Sequence, residues 1–135
     1  SAVVVADQLA REVDFFSIGT NDLTQYVMAA DRGNARVAGL ANAFQPSVLR
    51  LVRDVATAAH TAGIWVGMCG ELAGNPLATP LLVGLGLDEL SMSAPAIPAV
   101  KAAVRRVSLA DAQRIATAAL ALDSAEAVVR YLTDL

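Results

Sequence analysis

Two short stretches hold most of the side chains that could do chemistry. Asn21 and Asp22 follow the apolar run 15–19, and Cys69 ends a second apolar run beside Gly70 and Glu71. Oxygen donors at a strand end can ligate a hard cation such as Mg2+, which commonly shares its ligands with a substrate phosphate. The same two residues could instead cap a helix beginning at Leu23. Cys69 reads either as a small buried hydrophobe or as a site residue, and glycines at 67 and 70 would let backbone approach a ligand closely. Glu71 could act as a base or cap the next turn. Arg32 sits in an Asp31-Arg32-Gly33-Asn34 turn, where it is either a solvated charge or a phosphate clamp. His60, the only imidazole, lies late on an amphipathic helix, where the macrodipole favours a cation. The pair Arg105–Arg106 reads as a solvated helix face. Walker, GxGxxG, HExxH and Gly-x-Ser-x-Gly patterns are missing from the sequence.

Composition narrows the classes further. Of 135 residues, 56% are hydrophobic and 17% charged, with a formal net charge of −3. Disordered chains are poor in apolar residues and rich in charge, so disorder is excluded. The acidic balance and the lack of any basic run argue against nucleic acid. Apolar stretches break well short of the roughly 18–20 residues a spanning helix needs. A single cysteine rules out an internal disulfide and a multi-cysteine zinc site, which points to the cytoplasm. The opening Ser1-Ala2-Val3-Val4-Val5-Ala6 reads as the interior of an element, so the chain is expected to be part of something larger.

The elements that must position these residues follow from periodicity. Val3, Ala6, Leu9, Ala10 and Val13 predict a first helix over 3–13. A buried strand is predicted over 15–19, a short helix over 23–30 and turn material at 31–34. A second amphipathic helix runs from 46 or 47 to 62, with Gly63 as its C-terminal cap and Val48, Leu51, Val52, Val55 and Ala59 as its buried stripe. A strand follows over 64–68, then a helix opening at Asn75-Pro76 and ending near 84 or 86. The third strand is expected over 89–93 and the next helix over 98–107. Ser108 caps one further helix, and Asp123 with Glu126 forms a capping-box pattern for the last. Strands separated by helices imply a parallel sheet with covering helices. Three strands are too few for a closed barrel, but they suit part of an eight-stranded β/α barrel, where chemistry sits at the C-terminal strand ends. Asn21, Asp22, Cys69, Glu71, Ser91 and Ser93 all fall at or near such ends.

Three ordered motifs carry a resemblance. Residues 14–26 (DFFSIGTNDLTQY) with Asp31-Arg32-Gly33-Asn34 closely resemble the phosphoenolpyruvate-utilising enzymes. So do residues 67–74 (GMCGELAG), and residues 86–93 (GLDELSMS) with Ile97-Pro98. Within that family the wording is that of the enzyme I group of the bacterial sugar phosphotransferase system. Pyruvate phosphate dikinase and phosphoenolpyruvate synthase share the implied barrel. They usually differ after Cys-Gly-Glu and lack the combination of Tyr26 with Asp-Arg-Gly-Asn. A module that only folds or dimerises is the remaining alternative.

The resemblance implies that residues 1–135 are the C-terminal part of a phosphoenolpyruvate-binding β/α barrel, in a homodimeric enzyme. A separate N-terminal domain would take the phosphoryl group on a histidine and pass it to a histidine-containing phosphocarrier protein. By motif position, Asp22 is implied as a Mg2+ ligand, Asn21 and Arg32 as substrate-phosphate contacts and Cys69 as the acid that protonates the enolate. A thiol near its ordinary pKa is largely protonated at neutral pH, which suits a donor. The second metal carboxylate, the other phosphate arginines and the phosphorylated histidine are implied to lie outside this chain, leaving it inactive alone. Residues 41–46 lack the aromatic, proline and basic residues usual there, and Asn75 stands where Asp is usual.

Overall fold

A computed structural model describes residues 1–31 and 33–135. Among the described residues, three strands form one parallel sheet in the order β1 (Phe15–Gly19), β2 (Trp65–Cys69), β3 (Glu89–Leu90). Phe15 stands beside Trp65 and Gly19 beside Cys69, while Gly67 and Met68 pair with Glu89 and Leu90. The helices are α1 (Ala6–Leu9), α2 (Thr20–Met28), α3 (Pro46–Ala62), α4 (Thr79–Gly84), α5 (Ile97–Arg106), α6 (Leu109–Leu120) and α7 (Ala125–Thr133). None of them is long and apolar enough to cross a membrane.

The alternation of side chains along a strand splits the sheet into unlike faces. Ile18, Val66 and Met68 are buried with Leu49, Val52 and Ala56 of α3, and Phe16 and Leu90 pack against the same cluster. On the other face, Phe15 and Trp65 stack in parallel with centroids 4.4 Å apart, yet remain 47% and 42% exposed. Ser17 and Glu89 are exposed on that side too, with Gly67 between them. Among the described residues, helices cover one face of the sheet and leave the other open.

Local sequence explains where the elements begin and end. Pro46 opens α3, and Gly63 ends it at φ +78, a left-handed conformation that glycine adopts without strain. Its buried stripe includes Leu49 rather than Leu51. Ser108 caps α6 by accepting the N–H of Asp111. The cap of α7 is Ser124, which accepts from Ala127, and not Asp123. The first helix shrinks to the single turn of α1, because consecutive β-branched Val3, Val4 and Val5 are stiff at χ1 and Val5 offers no capping oxygen. Asn75 accepts the N–H of Leu77 through its side chain, at 2.9 Å, and that turn delays α4 to Thr79. Strand β3 is only two residues long, although the N–H of Ser91 still reaches the carbonyl of Met68 at 2.8 Å.

His60 and Asp88 close the opposite, N-terminal end of the sheet. Asp88 Oδ2 accepts from His60 Nε2 at 2.9 Å and from the N–H of Val66 at 2.8 Å. Partial burial works against the charged carboxylate, but these two hydrogen bonds outweigh it and hold Asp88 below the usual carboxylate range. A carboxylate lowered on folding stabilises above its unfolded pKa, and that stability is lost as pH falls through the folded value. The contribution should therefore fade below about pH 4. Asp88→Ala is expected to cost about 0.5–1 kcal/mol at pH 7 after allowance for solvent screening, and clearly less in acid. Urea midpoints of both chains at pH 7 and pH 3 check this; equal losses at the two pH values would contradict it.

Candidate functional site

The C-terminal ends of the strands gather the sequence's candidate residues. Helix α2 starts at Thr20 with no intervening turn after Gly19, so Asn21 and Asp22 lie inside its first turn. They do not cap a helix beginning at Leu23, because Gly19 takes the cap position. Their backbone N–H groups belong to a helix N-terminus, where the macrodipole favours an anion. A Cβ added at Gly19 would stand 4.0 Å from Asp22 Oδ2, which puts that carboxylate over the end of β1.

Cys69 is the last residue of β2, paired with Gly19, and it is exposed rather than packed in the core. The two strand ends are joined beyond their ladder by one more bond: Thr20 Oγ1 donates to the carbonyl of Cys69 at 3.1 Å. Gly70 then turns the chain at φ +102, and any Cβ there would fall 2.5 Å from Thr20 Oγ1. Only glycine fits that position, for reasons of conformation and of space.

Asn21 and Glu71 form a wall shared by two clefts. One, of about 510 Å³, is also lined by Thr24, Asn42, Phe44 and Asn75. The other, of about 630 Å³, is lined by Gly70, Ser91, Met92 and Ser93. Both fall in the size range of small-molecule sites. Glu71 makes no side-chain cap to the turn that follows it, which removes the capping alternative. Arg32 lies outside the described residues. His60 is at the other end of the sheet, so its hydrogen bond with Asp88 explains it.

Sequence reasoning singled out neither Thr20 nor Thr24. Both are buried, and among the described residues Thr24 Oγ1 finds no hydrogen-bond partner. A hydroxyl directly after a strand-ending glycine was the available signal for Thr20. Oxygen donors from Asp22 and Asn21 suit Mg2+, but their number is short of a complete shell. Among the described residues no three of His, Cys, Asp and Glu gather into a metal cluster. The described residues therefore fit at most one side of a Mg2+ shell.

Comparison of the sequence with known proteins gives a family. Residues 1–109 match the family model described as PEP-utilising enzyme, PEP-binding domain. Relatives named phosphoenolpyruvate-protein phosphotransferase are 54% identical over 132 residues in Geobacillus stearothermophilus and 56% over 133 residues in Haloferax volcanii. A third, from Bacillus subtilis, is 50% identical over 134 residues. These alignments cover 98%, 98% and 99% of this chain but 23%, 24% and 24% of the relatives, so the chain spans about a quarter of their length. With three parallel strands that bring Asn21, Asp22 and Cys69 to one sheet edge, and a match over most of its length, the chain belongs to the PEP-utilising enzymes.

Proposed function

We propose that this chain is the C-terminal part of the phosphoenolpyruvate-binding domain of a cytoplasmic phosphotransferase, which moves phosphate from phosphoenolpyruvate to a protein histidine. The domain closes as an eight-stranded β/α barrel. The uncovered sheet face bearing Phe15, Ser17, Trp65 and Glu89 supports this, since it is the face such a barrel fills with side chains from its other strands. The enzyme works as a homodimer, and its N-terminal domain hands the phosphoryl group to a histidine-containing phosphocarrier protein that starts sugar uptake.

One observation carries the reading: Gly19 stands beside Cys69, so the α2 N-terminus and the thiol serve one small substrate. Asn21 and the α2 N-terminus hold the phosphate, with Arg32 contributing a further positive charge, and Asp22 is the chain's metal ligand. Mg2+, when bound, neutralises charge on the phosphoryl oxygens, the main requirement of phosphoryl transfer. The bond from phosphorus to the enol oxygen breaks as a bond from phosphorus to a histidine nitrogen forms, leaving enolpyruvate. The Cys69 thiol then gives its proton to the methylene carbon, producing pyruvate. The resulting thiolate regains a proton from water. Exposure of Cys69 supports that last exchange.

The full-length protein, given phosphoenolpyruvate and Mg2+, is expected to form phosphohistidine and release pyruvate. Residues 1–135 alone should release none above background, because the acceptor histidine and a second metal carboxylate are missing. Pyruvate release by the purified 135-residue chain would contradict the proposal.

A further inference from the structure

We propose that Thr20 is a positioning residue that locks the Cys69 thiol to the phosphate-binding turn, an inference that rests on Cys69 being the proton donor. Thr20 is fully buried, and its hydroxyl is committed to the carbonyl of Cys69 at 3.1 Å. That bond lies past Gly19–Cys69, the last ladder pair between β1 and β2. Behind it, Gly70 brings its backbone flat against Thr20: a Cβ at Gly70 would sit 2.5 Å from Thr20 Oγ1 and 3.5 Å from both Thr20 N and Asn21 Oδ1. The peptide leaving Cys69 is thereby clamped on one side, and the thiol keeps only its own χ1 rotation. Threonine suits the task because branching at Cβ restricts its χ1, and packing around the buried side chain selects the hydroxyl direction. The first helical residue of the phosphate turn and the proton donor then move as one body. Enolpyruvate formed over Asn21 and Asp22 finds the thiol at a fixed distance.

The test compares Thr20→Val, which keeps the shape and removes the donor, with Thr20→Ser, which keeps the donor, in the full-length protein. For Thr20→Val, steady pyruvate formation should fall about tenfold, within the ~100-fold that an ångström of misplacement can cost. Single-turnover histidine phosphorylation should stay within about twofold, since Asn21 and Asp22 are untouched. Thr20→Ser should recover most of the lost turnover. The rate of Cys69 alkylation by iodoacetamide, followed by mass spectrometry of its peptide, should change in the Val protein and be native in the Ser protein. Equal losses in the two variants would overturn the proposal, as would native turnover and alkylation in Thr20→Val. A Thr20→Val protein that does not fold would also overturn it, by assigning the hydroxyl to stability alone. Cys69→Ala separates the two readings: native pyruvate formation there rejects the proton donor, whereas altered alkylation in Thr20→Val still supports the clamp.

Discussion

Replacing Cys69 by alanine in the full-length protein is expected to separate the two steps of the proposed reaction. Asn21, Asp22 and Arg32 are left in place, so the histidine should still be phosphorylated in a single turnover. Enolpyruvate must then collect its proton from water, and steady pyruvate formation should fall by about 10²–10⁴, the range for one general acid. A cysteine buried in a core would cost packing when truncated, but Cys69 is exposed at the end of β2. Near-native pyruvate formation in Cys69→Ala would return the residue to a passive role.

The largest effect on stability should come from Gly84→Ala, at the crossing of α4 and α6. A Cβ at Gly84 would stand 1.9 Å from the carbonyl oxygen of Ala112, 2.4 Å from its carbonyl carbon and 2.9 Å from the Cβ of Ala116. Two of these three neighbours are backbone atoms of a helix, which no rotamer change can move. Overpacking usually costs 1–3 kcal/mol and sometimes more; with helix backbone as the obstacle, about 3 kcal/mol or more is expected. A loss of that size lowers the melting point by roughly 10 °C or more in a domain of this length. Ala112, Ala116 and Ala119 are all buried on the α6 side, so the pairing depends on small residues throughout. Gly39→Ala is the control, because nothing lies within 4 Å of a Cβ there. A Gly84→Ala protein melting within a degree or two of Gly39→Ala would contradict the account.

Short-range pattern made much of this molecule legible from its residues. Strand β1 spans the expected 15–19, and α3 runs from Pro46 to Ala62 with Gly63 closing it. Both elements are set by neighbours a few residues away, namely a bounded apolar run, a proline at N1 and a glycine at C′. The misplaced boundaries have local causes that compete. Asp123 and Ser124 both carry capping oxygens, and only the backbone conformation decides for Ser124. Val3, Val4 and Val5 fit a helical stripe by polarity and resist it by branching.

What stayed hidden depends on residues far apart in the chain. Thr20 and Cys69 are separated by 49 positions, and no periodicity reports their hydrogen bond. The same holds for Gly84 against Ala112, and for Asp88, whose partners His60 and Val66 come from two other elements. For the candidate site, residue types at strand ends pointed to Asn21, Asp22 and Cys69. Their meeting at one edge of the sheet required the β1–β2 register.

On the proposed reading, the α2 N-terminus of this chain handles the phosphoryl group of phosphoenolpyruvate. Single-turnover phosphorylation of the protein histidine, with labelled phosphoenolpyruvate and Mg2+, tests it most directly in the full-length protein and its Asp22→Ala variant. The native protein should be phosphorylated in one turnover, and Asp22→Ala should show no transfer and no pyruvate, having lost its metal ligand. Native-rate labelling of a folded Asp22→Ala protein would contradict the account.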